Sequence, residues 1–341
     1  MIKEAIIAVV AGHQLNMEES IAVMEEIMDD KVTPAQFGAF VTALRIKGET
    51  IDEIAGMAQT MRAKALPVTV DGPLVDTCGT GGDSSATFNI STTAAFVVAG
   101  AGLKVAKHGN RAMSSQSGSA DVLEALGVKL ELNPGQVEKC LKEVGMGFMF
   151  AQVFHPSMKN AAGPRREIGI RTVFNILGPL TNPAKAQSQV LGVADGTIVE
   201  KIAEVLKRLG CRHALVVHGE DGLDEITIAR ETRVGELKEG DIKYYSISPE
   251  NFGLDRADLD SLKGGTAKDN AVILRNILAG EKGARRDVVL LNTAAALIAG
   301  DRVENLQQGI DLARESIDHG KALKKMDQLI KFTQKLDTES A

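Results

Sequence analysis

The chain has no tryptophan, and aromatic residues make up only 4% of its 341 residues. Aromatic platforms on which single-stranded nucleic acid stacks are therefore scarce. Its three cysteines, Cys78, Cys140 and Cys211, show no CxxC spacing. That argues against a disulfide framework and a zinc site, and leaves them expected as small apolar residues. Cys78 alone adjoins a glycine-rich loop and is placed to line a site. Positive charge is in deficit too: the formal net charge is −6, the wrong sign for non-specific nucleic-acid binding. Long hydrophobic runs are also missing, since crossing a bilayer takes roughly 18 to 20 apolar residues and the longest candidate, 92–105, is broken by Gly100, Gly102 and Lys104. The opening Met1-Ile2-Lys3-Glu4 carries an acid where a secretory signal is basic and then apolar. A cytoplasmic protein that binds neither membrane nor nucleic acid is expected.

What is abundant is glycine, 34 residues of it, much of it in short loops between apolar runs. That distribution suits the many turns of an α/β protein. Residues 1–66 read as helices only, with Ile6, Val9, Val10 and then Ile21, Met24, Ile27, Met28 at helical spacing. Thr33-Pro34 predicts a helix start that Gly48 terminates, and a fourth helix follows from Thr50. Pro67 and Asp71-Gly72-Pro73 mark a boundary. Strand-like runs then alternate with helical ones: strands at 74–76, 103–106, 146–151, 188–193, 213–218, 225–229, 232–237 and 242–247, and helices at 90–99, 119–126 and 197–209. A further helix opens at Pro134, segment 156–183 looks helical, and several helices close the chain from about Lys268. The expected fold class is α/β: a small all-helical domain, 1–68, joined by segment 156–183, and a larger domain, 69–341, with a mostly parallel central sheet flanked by helices.

Four loops carry the chemistry. The first is Gly79-Thr80-Gly81-Gly82-Asp83, between a strand and a helix start bearing Thr87, Asn89, Ser91 and Thr92. Glycines allow close backbone approach to an anion, and a helix N-terminus offers unpaired N–H groups, so the pair suits phosphate. It is not a P-loop, lacking Gly-Lys-Ser/Thr, nor a dinucleotide fingerprint, because Ser84 stands where the third glycine is needed. Without a ligand it reads as a tight turn whose hydroxyls cap the helix. The second loop, Lys107-His108-Gly109-Asn110-Arg111, continues through serines to Ser119 and follows another strand, at the sheet edge where α/β folds bind ligands. His108 is not assigned as a base. The third, Gly222-Leu223-Asp224-Glu225, is by itself an ordinary acidic turn. Beside two phosphate-binding loops it becomes a candidate for Mg²⁺, which prefers oxygen ligands. The fourth, Gly163-Pro164-Arg165-Arg166, offers an arginine on a rigid turn, suited to a carboxylate.

Taken together, Asp76-Thr77-Cys78-Gly79-Thr80-Gly81-Gly82-Asp83, Phe88-Asn89-Ile90-Ser91-Thr92, Lys107-His108-Gly109-Asn110-Arg111, Gly163-Pro164-Arg165 and Asn175-Ile176-Leu177-Gly178-Pro179-Leu180-Thr181-Asn182-Pro183 resemble the anthranilate phosphoribosyltransferase family along essentially the whole chain. The resemblance implies transfer of a 5-phosphoribosyl group from 5-phosphoribosyl-1-pyrophosphate to the amine of anthranilate in tryptophan biosynthesis. It implies a requirement for Mg²⁺, with two ions per site, a fold shared with pyrimidine nucleoside phosphorylases, and a homodimer paired through the helical domain. It puts Gly79, Gly82, Asp83, Thr87, Asn89, Ile90, Ser91 and Thr92 on the donor. Lys107, His108, Gly109, Asn110, Arg111, Ala112, Met113, Ser114, Ser115 and Ser119 wrap its phosphates. Gly79, Asn110 and Arg165 face anthranilate, and Ser91, Asp224 and Glu225 hold the metal. No general acid or base is assigned, because an aromatic amine is a neutral nucleophile near neutral pH. The competing readings are a nucleoside phosphorylase on the same fold and a non-catalytic nucleic-acid-binding relative. The first has no use for the Asp-Glu pair, and the second expects a basic surface.

Overall fold

A computed structural model describes residues 1–112 and 116–338. The expected phosphate contacts Met113, Ser114 and Ser115 lie outside the described residues. The chain opens with helices α1 (Ile2–Val10), α2 (Met17–Met28), α3 (Pro34–Lys47) and α4 (Ile51–Lys64). Side-chain caps set their starts. Asn16 accepts from the Glu19 N–H at 2.9 Å while Glu19 accepts from the Asn16 N–H at 2.8 Å. Thr33 with Gln36 and Thr50 with Glu53 repeat this reciprocal pairing. The predicted start at Thr33-Pro34 is observed, and Gly48 ends α3 with φ of 86°.

Strands and helices then alternate: β1 (Leu74–Gly79), α5 (Ile90–Gly100), β2 (Lys104–Gly109), α6 (Ser119–Ala125), α7 (Pro134–Glu143), β3 (Met146–Phe150), α8 (Ala151–Phe154), α9 (Lys159–Ile168), α10 (Phe174–Leu177), β4 (Ser188–Gly192), α11 (Val199–Arg208) and β5 (His213–Gly219). A hairpin of β6 (Thr232–Lys238) and β7 (Asp241–Ile247) precedes α12 (Ala267–Leu278), α13 (Ala284–Ala299), α14 (Leu306–Asp318) and α15 (Lys321–Thr338). Among the described residues the strands form one seven-stranded sheet, ordered β3-β2-β1-β4-β5-β6-β7. The pairings from β3 to β5 are parallel, and those of β5–β6 and β6–β7 antiparallel. The chain winds outward from β1 through β2 to β3, then resumes on the other side of β1 with β4 and β5. The switch point, where α/β sheets form a ligand crevice, therefore lies between β1 and β4. No helix among the described residues is long and apolar enough to cross a membrane.

Successive strand residues alternate between two cores. Val190, Leu215 and Val217 join α5 and α13 in one; Leu191, Ala214 and Val216 face α11 in the other. That second core continues into α1–α4 and takes in Phe174, Leu177 and Leu180. Arg62 of α4 ties the seam, donating to the Leu180 carbonyl at 2.6 Å and the Leu209 carbonyl at 3.3 Å.

Four expectations need correction. Residues 225–229 are not a strand. Ile226 and Ile228 are buried at alternate positions, which mimics one, but the Ile226 N–H and C=O are taken by the Asn292 side chain of α13, each at 2.9 Å. Segment 156–183 is only partly helical: Gly169, with φ of 66°, stops α9, and α10 spans a single turn. Gly163 and Pro164 lie inside α9 rather than in a turn. Finally, β2 runs through Lys107 and His108 to Gly109, so those two side chains project from a strand and not from the following loop.

The Asn292 contact gives a direct expectation. Asn292→Ala leaves a buried donor and acceptor of Ile226 unpaired, which should cost about 2–3 kcal/mol. Urea unfolding measures it, and a change below about 0.5 kcal/mol would show that the contact does not hold segment 225–227.

Candidate active site

β1 and β4 end side by side, with Gly79 opposite Gly192. The backbone of Asp224 crosses directly above them. A Cβ on Gly192 would lie 1.6 Å from the Asp224 carbonyl oxygen, and one on Gly79 would lie 2.3 Å from its Oδ2. Both positions therefore require glycine for proximity, although neither has a left-handed backbone. Past Gly79 the chain turns with Gly81 and Gly82 at φ of 67° and 74°, and Ser84 and Ala86 also lie at positive φ. Successive turns of this kind aim backbone N–H groups into a concavity that suits anions. The Gly81 N–H donates to Asp224 Oδ2 at 2.7 Å. Asp83 accepts from the Ser85 hydroxyl, which also approaches Thr87 Oγ1 at 3.4 Å. The far side of the loop leans on 262–264, where Leu262 accepts from the Phe88 N–H at 3.0 Å and Ala86 from the Gly264 N–H at 2.9 Å.

The α5 N-terminus follows. The Ser91 N–H donates to Glu225 Oε1 at 3.1 Å, placing an acid at the positive end of the helix. Lys107 is buried, and its Nζ donates to the Thr77 carbonyl and lies 3.4 Å from the hydroxyls of Thr77 and Ser91. Burial lowers its pKa, against the pull of Asp76. Asp76, fully buried, is held by Asn182 Nδ2 at 2.7 Å and the His108 N–H at 3.3 Å. Burial, then the charge of Asp83, pushes Asp224 up to about 7; burial, then Asp224, pushes Glu225 up to about 8. Crowded acids of this kind favour either a proton or a cation.

The other expected residues have varied surroundings. Asn89 does not cap α5; its amide donates to the Ser117 carbonyl at 3.1 Å and accepts from Asn270 at 3.0 Å. Ile90 packs in the core, leaving only its backbone toward any ligand. Thr92 Oγ1 is buried without a hydrogen-bond partner. Arg111 is turned to Asp121 and Glu124, at 3.0 and 2.7 Å. Asp121 also accepts from the N–H groups of Ala112 and Gly118, each at 2.8 Å, pinning the loop at both ends. Ser119 Oγ lies 3.4 Å from the Asn110 carbonyl and is what a Cβ on Gly109 would strike. Arg165, half-buried on α9, sets its guanidinium 5.2 Å above the Phe174 ring. Cys78 is half-buried, with Gln189 Nε2 at 3.0 Å from its sulfur, and Cys140 and Cys211 are buried.

His108 and His155 pack ring to ring, centroids 4.9 Å apart. Burial, helped for His108 by its neighbour, lowers their pKa values from 6.5 to about 3 and about 4. A depressed histidine contributes stability that is present above its unfolded value and lost as pH falls. Each should therefore cost about 2 kcal/mol of unfolding free energy by about pH 5. His155→Phe should flatten the fall measured by urea titration between about pH 7 and pH 5; an unchanged pH slope would contradict a neutral buried pair.

Sequence reasoning missed Asp76, Gly192, Asn270 and Asn292. Asp76 and Asn182 both lie in the quoted motifs, but only the fold shows that they meet. Gly192 ends a strand beside the glycine loop, which was a usable signal. Asn270 and Asn292 carry none.

The chain matches the family described as glycosyl transferase family, helical bundle domain, over residues 3–65, and the glycosyl transferase family, a/b domain, over 71–323. It is 57% identical over 338 residues to the anthranilate phosphoribosyltransferase of Dehalococcoides mccartyi, covering 98% of this chain and 99% of that one. With the enzyme of the same name from Chloroflexus aurantiacus it shares 59% over 331 residues, covering 96% and 98%. Among solved structures, anthranilate phosphoribosyltransferase from Thermus thermophilus superposes with a TM-score of 0.92 at 45% identity, over 97% of this chain and 99% of that one. The Saccharomyces cerevisiae enzyme in complex with PRPP and Mg gives a TM-score of 0.90 at 28% identity, over 98% of each chain.

Proposed function

The chain belongs to the anthranilate phosphoribosyltransferase family, and from that membership and the site's geometry we infer how its residues serve the reaction. It is a pentosyltransferase: it moves the 5-phosphoribosyl group from 5-phosphoribosyl-1-pyrophosphate to the amine of anthranilate, releasing pyrophosphate, in tryptophan biosynthesis. The observation that carries the residue roles is the meeting of the glycine loop, the α5 N-terminus and the Asp224–Glu225 pair at the β1/β4 switch point.

Breaking the ribose C1–oxygen bond leaves positive charge on the sugar and negative charge on the departing pyrophosphate. Preorganised donors stabilise the leaving group most. The N–H groups of Gly82 and Asp83, the first turn of α5, and Lys107 supply them, with further phosphate contacts from Gly109, Asn110, Arg111 and Ser119. Arg165 receives the acceptor carboxylate and Asn110 lies beside it, so that the neutral amine is presented to C1 without prior deprotonation. Asp224, Glu225 and the Ser91 hydroxyl form a hard, oxygen-only donor set whose crowded carboxylates fit Mg²⁺. Two carboxylates leave most of the coordination to phosphate and water, as this ion prefers. Bound Mg²⁺, two ions per site in this proposal, would neutralise charge on the pyrophosphate.

The protein works as a cytoplasmic homodimer in this proposal. Ile7 and Val10 of α1 are each 70% exposed, and Ile46 of α3 is 82% exposed, on two helices that pack together. Large apolar side chains left exposed on the helical unit suit burial by a second copy. Sedimentation should give the dimer mass and Ile46→Glu the monomer; a monomeric wild type would refute it.

Anthranilate fluorescence tests the function. It should fall only when 5-phosphoribosyl-1-pyrophosphate and Mg²⁺ are both present. A nucleoside phosphorylase, which has no use for the Asp-Glu pair, would instead cleave a pyrimidine nucleoside with inorganic phosphate.

A further inference from the structure

The glycine loop is gripped from behind as well as in front. Gly169 ends α9 with a left-handed turn, and two residues later the exposed Arg171 reaches the loop. Its Nη1 donates to the Gly82 carbonyl at 3.0 Å and its Nη2 to the Gly81 carbonyl at 3.2 Å. The guanidinium plane lies so close that a Cβ on Gly82 would meet three of its atoms at 3.0 to 3.2 Å. One planar fork thus takes two consecutive carbonyls, a task to which guanidinium is suited.

The consequence follows from peptide geometry. Every described peptide is trans, so each carbonyl points opposite to the N–H of the next residue. Fixing the Gly81 carbonyl fixes the Gly82 N–H, and fixing the Gly82 carbonyl fixes the Asp83 N–H. Both N–H groups are then directed away from Arg171. Glycine peptides otherwise reorient at little cost, and a peptide turned the wrong way would present a carbonyl oxygen to an anion. The preceding N–H, that of Gly81, is held separately by Asp224 at 2.7 Å.

We propose that Arg171 is a positioning residue for the phosphoribosyl donor, holding the Gly81 and Gly82 carbonyls back so that the Gly82 and Asp83 N–H groups face its phosphates. This rests on the transferase function described above. Arg171 need not touch substrate, and it belongs to the 169–173 turn rather than to any of the loops that bear the other donor contacts.

The test is calorimetric titration of the Mg²⁺ complex of 5-phosphoribosyl-1-pyrophosphate into the full-length protein and its Arg171→Ala and Arg171→Lys variants, beside steady-state kinetics and melting. Arg171→Ala should raise the donor Kd and KM about tenfold, with kcat and the anthranilate KM changed less than about twofold. Tm should stay at the wild-type value because the side chain is exposed. Arg171→Lys, which keeps the charge but not the fork, should recover only part of the affinity. Normal donor binding by Arg171→Ala would overturn this role alone, as would equal weakening of both substrates or a drop in Tm that accounts for the loss. A wild-type protein that did not bind the donor would overturn both this role and the function beneath it.

Discussion

Asp224→Asn combined with Glu225→Gln is expected to lower kcat/KM by about a thousandfold at millimolar Mg²⁺. The same change should stabilise the metal-free protein. Asp224 and Glu225 sit at about 7 and about 8 because burial, and then a neighbouring carboxylate (Asp83 for Asp224, Asp224 for Glu225), disfavours their charged forms. A carboxyl whose folded pKa is raised is a liability that is absent below the unfolded carboxylate range, about pH 4, and grows as pH rises to the folded value. The isosteric amides remove the charge at nearly constant volume. Unfolding free energy at about pH 8, measured with chelator, should therefore rise by on the order of 2 kcal/mol in the double variant, with little change at about pH 5. Mg²⁺ should raise the Tm of wild type and not of the variant. Near-normal turnover at limiting Mg²⁺ would refute the metal assignment. A variant less stable than wild type at alkaline pH would refute the crowded-acid account.

Arg165→Ala should raise the KM for anthranilate by about a hundredfold while moving the donor KM less than about threefold. Arg165 is half-buried, and the Phe174 ring lies 5.2 Å beneath its guanidinium. Burial makes the guanidinium less stable as a cation, so a carboxylate partner offsets a desolvation already incurred. The ring fixes the plane of the fork, which favours bidentate pairing. Arg165→Lys should recover only a small part of the loss, because an ammonium neither stacks nor forks in this way. Phe174→Leu should weaken anthranilate by a smaller factor, about threefold to tenfold, by releasing the plane. Comparable losses for both substrates in Arg165→Ala would remove its role as a carboxylate clamp.

The fold was legible where local chemistry decides it. Thr33-Pro34, Thr50-Ile51-Asp52-Glu53 and Pro134 announce helices through caps that the backbone needs whatever the surroundings. The β1 loop was legible because two adjacent glycines past a strand have few other uses. Segment 225–229 was not. Its alternating isoleucines look the same whether a neighbouring strand or the side chain of Asn292, 66 residues away, satisfies the backbone. The reach of Lys107 and His108 was obscured for a related reason, since pairing with β3 extends β2 beyond its apolar run. At the site, sequence identified residues that could meet a ligand and missed those that hold them. Asp76, Asn182 and Asn270 act through side-chain contacts between distant segments, which no local pattern encodes.

The crossing of Asp224 over Gly79 and Gly192 bears on how freely this catalyst can be altered. Any side chain at either glycine displaces the same carboxylate-bearing segment, so neither position offers a graded series of variants. In a saturation library screened for turnover, both should return glycine alone. Arg165 and its Phe174 platform stand on α9 and α10, with Phe174 in the core that takes Leu191 and Val193, whereas Leu223 and Ile226 anchor the Asp224 segment in the other core. Variation there leaves those anchors in place. A library aimed at new amine acceptors has its room on those two helices, with the paired glycines treated as fixed.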